Sequence, residues 1–216
     1  MRSPIFPVFR LLLLTILPMG GFLLNCNPVH AQESASLSER QKQVEAYLTE
    51  FAAAEFRAVY PRIYQALINA LNKLPEEVFV DVTDRASPVI FINSITSGIA
   101  RYANSKEFYF NDGDLPALQD GFYLVILGDE LNNSEHVGAI EGVILHELAH
   151  DFLKHLRAPK HNCEMEREAN RLVKSWGYAK EYEQASEAFG AKHPGDSPCA
   201  DYFRKQEELK NQSQSQ

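Results

Sequence analysis

The chain has 216 residues, 45% of them hydrophobic, and carries 21 basic against 29 acidic side chains for a net charge of −8. That length fits one ordinary domain with a core of its own. The acidic balance, with no basic stripe beyond Lys154 to His161, excludes the electrostatic footprint of a nucleic-acid-binding protein.

Taken in chain order, the first stretch reads as a targeting segment. Arg2 and Arg10 precede the apolar run Leu11 to Leu17, and small or polar residues follow down to Val29-His30-Ala31. A charged region, an apolar region and a small-residue cleavage site make residues 1–31 a signal peptide. Pro18, Gly20 and Gly21 break the run too early for a membrane span. Leu23-Leu24-Asn25-Cys26 also resembles a bacterial lipobox. A lipid anchor at Cys26 is therefore a second option, and the one expected route to membrane contact. In either case the protein is expected to be exported, to the periplasm or beyond the cell. Losing residues 1–31 removes two of the 21 basic residues and no acid, which takes the net charge to −10. Cys163 and Cys199 are then an even pair in an oxidising compartment. A bridge between them is expected, with two separate buried thiols as the alternative.

The domain is expected over 32–210, with a disordered polar tail at 211–216. From Ser38 onward, Val44, Leu48, Phe51, Ala52 and Phe56 fall at helical spacing. Pro61 breaks or restarts that helix, and Ile63 to Leu74 continues as a second piece ended by Pro75. Val78 to Val82, Val89 to Ile92, Phe108 to Phe110 and Phe122 to Leu127 read as four strands. Asn111 to Asp114 closes the third as a solvated turn rather than a calcium loop. A long helix then runs from about Val137 to Leu156. Met165, Ala169, Leu172, Val173 and Trp176 mark another, with Gly177 as its C-cap. Glu181 to Phe189 is a further helix, His193 to Gly195 and Ser197 to Cys199 form a loop, and Asp201 to Leu209 is a short last helix. The fold class is α+β, mainly helical, with a small sheet preceding the long helix.

The chemistry sits on that long helix, in His146-Glu147-Leu148-Ala149-His150, an H-E-x-x-H pattern. Residues four apart share a helical face, so the two imidazoles can converge on one metal ion. Glu147 stands beside the first and can take a proton from a bound water, whose pKa zinc lowers toward about 7. A catalytic zinc keeps three protein ligands and one open position, so a third ligand is needed. Glu166 shares a face with Ala169, Asn170 and Val173, a mostly apolar face on which an acid needs a partner. Glu164 and Glu168 point elsewhere, toward solvent. Asn170, one turn after Glu166, can accept a hydrogen bond from a ligand histidine and fix its tautomer. His161 competes for the third place, and Glu166 is preferred. The metzincin pattern fails, because Leu153 and Leu156 stand where its glycine and histidine belong. His155 lies about 140° round the helix from His150 and should point away from the metal, to the surface or a second helix.

From about Val78 to Ala188 the chain resembles the gluzincins of the HtpX and CAAX-prenyl-protease type, above all their small soluble periplasmic or secreted members. The resemblance rests on Leu124 to Leu131, on Ala139 to His150 with His155 following, and on Glu166 to Leu172 with Gly177-Tyr178. It implies a zincin-like domain with zinc as cofactor, His146, His150 and Glu166 as ligands and Glu147 as general base. It also implies a protein or peptide substrate, paired in extended form with the edge strand of the small sheet. The family pattern is E-x-x-A-D, so Asn170 puts an uncharged amide where the family has a carboxylate. An oxyanion donor is expected by analogy, with His193, Tyr202 and Arg204 as possible suppliers. The expected activity is that of a zinc-dependent endopeptidase. The rival is a non-catalytic secreted module that keeps the scaffold and binds partners or assists folding. Intact Glu147 stands against that rival, since a purely structural metal site needs no base.

Overall fold

The computed structural model describes residues 38–94, 103–108, 121–157, 162–192 and 197–214. The expected signal peptide with Cys26, His161, His193 and the Asn111 to Asp114 turn lie outside them. All the described residues belong to one unit, Leu37–Gln216.

Helix α1, Glu39–Phe51, starts where Ser38 Oγ accepts from the Gln41 amide. It ends well before Pro61. Ala52 turns extended and bridges to Phe91, and the Ala53 amide donates to the Phe91 carbonyl at 2.9 Å. The short helix α2, Ala54–Ala58, then returns Phe56 to the same core, so the helical spacing carries on across the break. Helix α3, Pro61–Lys73, has its proline in the first turn, where a missing N–H costs nothing. It buries Ile63, Ala66, Leu67, Ala70 and Leu71.

Val78 to Val82, expected as a strand, is helical instead. Helix α4, Glu76–Val82, follows Pro75 and places Glu76 and Glu77 in the first turn, where the helix dipole favours acids. It buries Val78, Phe79 and Val82 together and leaves Val80 58% exposed. A strand would have put Val78, Val80 and Val82 on one face. Packing of the helical face outweighs the strand preference of the valines.

Among the described residues the sheet therefore has three strands: β1 Val89–Ser94, β2 Ala103–Phe108 and β3 Phe122–Gly128, in the order β1-β3-β2. β1 runs parallel and β2 antiparallel to β3. β2 lies earlier than the expected Phe108 to Phe110. Its first residues, Ala103-Asn104-Ser105-Lys106-Glu107, are polar enough to hide a strand, and Tyr109 and Phe110 fall outside the described residues. Tyr123, Val125 and Leu127 of β3 are buried on one face, and Ser105, in register with Val125, joins them there.

Helix α5, Val137–Phe152, is the spine of the domain. Ile140, Ile144, Leu145, Leu148 and Ala149 are shut off from solvent. The helix packs against α3, against α6, Cys163–Ser175, and against α7, Ala179–Phe189. Gly142 lets α7 come close: a Cβ there would stand 2.3 Å from the Glu181 carbonyl oxygen. The helix stops at Phe152 rather than near Leu156. Lys154 takes the left-handed backbone, φ 54°, and a 3-10 turn at His155–Arg157 follows. That conformation costs a residue with a side chain about 1–2 kcal/mol. Lys154 Nζ is held by Asp81 at 3.1 Å and Asp151 at 3.4 Å. Burial pushes the Asp151 carboxyl up to about 6, against the pull of Lys154.

Asn162 caps α6 by accepting from the Glu164 and Met165 amides. At its other end Gly177 has φ 96°, its amide donates to Lys174 and that of Tyr178 to Val173, the Schellman closure that needs glycine. The last helix, α8, spans Pro198–Gln214. It takes in Pro198 and Cys199, expected in a loop, and residues 211–214, expected as disordered tail. Pro198 suits a first turn, and Arg204 to Lys210 is a run of good helix formers. Cys163 and Cys199 are bridged with their Cα atoms 5.1 Å apart, which pins α6 to α8. The disulfide is consistent with an exported protein. Among the described residues no helix is long and apolar enough to cross a membrane.

Candidate metal centre

His146 and His150 project from consecutive turns of α5, and Glu166 from the first turn of α6. His146 Nε2 lies 3.1 Å from His150 Nε2 and 3.1 Å from Glu166 Oε2. His150 Nε2 lies 3.5 Å from Glu166 Oε1. One ligand atom from each residue sits within 4.8 Å of the others, a group that could hold a metal ion.

Both imidazoles are turned by partners at their far nitrogens. His146 Nδ1 lies 2.9 Å from Asn170 Oδ1, which only accepts, so the ring donates there and keeps a lone pair on Nε2. His150 Nδ1 lies 2.9 Å from His155 Nδ1, and His155 Nε2 lies 3.1 Å from Glu168 Oε2. A carboxylate only accepts, so His155 donates to Glu168 and turns its Nδ1 lone pair to His150. His150 then donates from Nδ1 and keeps its lone pair on Nε2 as well. Two lone pairs and a carboxylate thus face one another. Such a set calls for a proton or a metal cation between its members, and imidazole with carboxylate is a donor set that divalent transition metals accept.

The electrostatics agree. Burial opposes charge on His146, yet the hydrogen bond to Glu166 and the Glu147 and Glu166 charges prevail and hold the ring above its ordinary value. Burial also opposes charge on Glu166, but its bonds and charge interactions with His146 and His150 hold it well below the usual carboxylate range. Both shifts express one property, that the centre draws positive charge. Tyr182 of α7 feels the same carboxylate: burial first, then Glu166, holds its hydroxyl above the ordinary tyrosine value.

Glu147 turns from the ligand face toward the sheet. Ser105 Oγ donates to its Oε2 at 2.6 Å, and the Tyr123 hydroxyl donates to its backbone carbonyl at 3.3 Å.

The structure brings together His146, His150, Glu166 and Asn170, four residues singled out in the sequence, and joins Cys163 to Cys199. His155 departs from expectation. It is not on the surface but 6% exposed, and besides touching the second helix it abuts His150. The cause is the early end of α5: the left-handed turn at Lys154 swings the chain back, where a continued helix would have carried His155 away. Glu168, expected in solvent, has a side chain 59% exposed yet bonds to His155. Ser105 escaped notice because nothing in β2 carries a pattern. The Tyr202 hydroxyl donates to Glu164 Oε1 at 3.4 Å, and Arg204 pairs with Asp201 on its own helix.

No family model, no curated protein and no solved structure matches this chain. What fold and site define is a mainly helical α+β domain with a three-residue group between two helices that could hold a metal ion.

Proposed function

We propose that the protein is an exported zinc-dependent endopeptidase with a zincin-like domain, of the gluzincin kind that its motifs resemble. The observation that carries the reading is the convergence of His146, His150 and Glu166 with both histidine lone pairs aimed inward, beside a glutamate that has no place in the ligand set. His146, His150 and Glu166 would hold the metal. Bound there, zinc would bring the pKa of water to about 7 and polarise a peptide carbonyl. Glu147 takes the proton from the attacking water and passes it to the nitrogen of the departing amine as the C–N bond breaks. Asn170 and the pair His155 and Glu168 keep each imidazole in the tautomer that presents Nε2. Among the described residues β2 pairs on one side only, with β3, and reaches Glu147 through Ser105. That supports β2 as the edge on which an extended peptide is laid, held by backbone groups with little side-chain selectivity.

The test uses the exported chain loaded with zinc and a library of quenched fluorescent peptides. Cleavage should stop with chelator, return with zinc, and be absent in Glu147→Gln with the metal still bound. A zinc-loaded protein that cleaves nothing, or cleavage indifferent to chelator and to Glu147→Gln, would favour the non-catalytic reading.

A further inference from the structure

The geometry points to Ser105 as a positioning residue for Glu147, an inference that rests on the peptidase reading above. Ser105 lies in β2, is 6% exposed, and its hydroxyl stands 2.6 Å from Glu147 Oε2. A carboxylate only accepts, so the serine donates its one proton to that oxygen. Such a bond, short and charge-assisted, is of the strong kind. Tyr123 completes the seat. It is two positions along β3 from Val125, the register partner of Ser105, so both side chains share the face turned to α5. Its hydroxyl contacts Ser105 and also reaches the backbone carbonyl of Glu147. The base is therefore fixed to the sheet at side chain and backbone, while the ligands are fixed to α6 and the turn after α5.

This division matters because a glutamate on a helix surface has several rotamers, and a base works only within hydrogen-bond reach of the proton it takes. Holding Oε2 leaves Oε1 as the oxygen that receives the proton from water. The bond survives the transfer: with the proton on Oε1, Oε2 is the carbonyl oxygen of the acid and still accepts from Ser105. When the proton leaves for the amine nitrogen, Glu147 returns to its carboxylate without having moved. The Ser105 side chain touches neither substrate nor metal in this scheme.

Two variants test it. Ser105→Ala should lower kcat about 10- to 100-fold, the usual cost of misplacing a reacting group. KM and zinc content should stay at wild-type values, and the fold should remain intact. Ser105→Thr keeps the hydroxyl and suits a strand, and it should restore kcat. A second readout needs neither metal nor turnover. In metal-free protein with 13C-labelled glutamate carboxyls, the Glu147 resonance, assigned by its absence in Glu147→Gln, should shift in Ser105→Ala and return in Ser105→Thr. A kcat unchanged in Ser105→Ala, or a loss that Ser105→Thr does not restore with the Glu147 resonance unmoved, would overturn the inference alone. A zinc-loaded wild type that cleaves no peptide would overturn the functional reading and the inference with it.

Discussion

Helix α5 carries two glutamates whose surroundings differ in kind. Glu141 faces α3, is 4% exposed, and accepts from Asn69 Nδ2 at 2.6 Å and Lys73 Nζ at 3.0 Å. Glu147 is half-buried, and its carboxylate accepts from one hydroxyl, that of Ser105. Among the described residues no lysine or arginine pairs with it. The first acid is neutralised, so its charge serves the packing of α5 on α3. The second is oriented but not neutralised, which leaves an oxygen able to exchange a proton. In the proposed peptidase the same residue type on one helix thus serves as scaffold or as reagent according to what its neighbours supply.

The strongest way to break this contrast is Glu147→Gln. It should cost about 10²- to 10⁴-fold in kcat, the range for losing a general base, with zinc content and stability unchanged. Peptidase rates near wild type would remove the distinction between the two acids.

Helix α6, which bears Glu166, is tied to α8 by the Cys163–Cys199 bridge. Replacing both Cys163 and Cys199 by serine should lower stability by about 3–4 kcal/mol, given a sequence separation of 36. Because Cys163 begins the helix turn that bears Glu166, zinc affinity should fall as well. Urea unfolding with competitive zinc titration checks both, and unchanged values would show that α6 is held by its caps and core alone.

A smaller loss is expected from the partners that orient the ligands. Asn170→Leu and His155→Phe should each weaken zinc binding or turnover about 10- to 100-fold and leave the fold intact. Asn170→Asp should be tolerated and should tighten zinc binding. Equal affinities in wild type and both deletions would mean that the rings hold their tautomers unaided.

The smallest effect should come from the scaffold acid. Glu141→Gln keeps one acceptor oxygen where Asn69 and Lys73 each use their own, so one of the two bonds is lost. It should cost about 1.5 kcal/mol, the low end for a hydrogen bond to a charged group. Chemical denaturation measures it, and kcat of the folded protein should not change. A large fall in kcat would show that the two glutamates are coupled.

The grouping of His146, His150 and Glu166 was legible because it follows from helical spacing: His146 and His150 lie one turn apart, and Glu166 and Asn170 share a face of the next helix. The long helices, β1 and β3 were legible for the same kind of reason. What escaped depended on contacts between distant segments. Phe91 draws Ala52 out of a helix that its spacing would continue. Alternating valines conceal α4, whose acidic first turn and buried face prevail. His155 was placed by a helix that in fact ends at Phe152, with a left-handed lysine where a glycine would have announced the stop. Ser105 sits in a polar strand and acquires meaning only once β2 is laid against α5.

The central claim is that α5 and α6 together make a zinc site. Its most direct test is zinc analysis of the exported protein together with X-ray absorption at the zinc edge, on wild type and Glu166→Ala. The account predicts one zinc per chain, with two imidazole nitrogens at about 2.0–2.1 Å and a carboxylate oxygen in its shell, and loss of that zinc in Glu166→Ala. Wild-type protein that takes up no stoichiometric zinc, or Glu166→Ala that binds it with unchanged occupancy and affinity, would contradict the account.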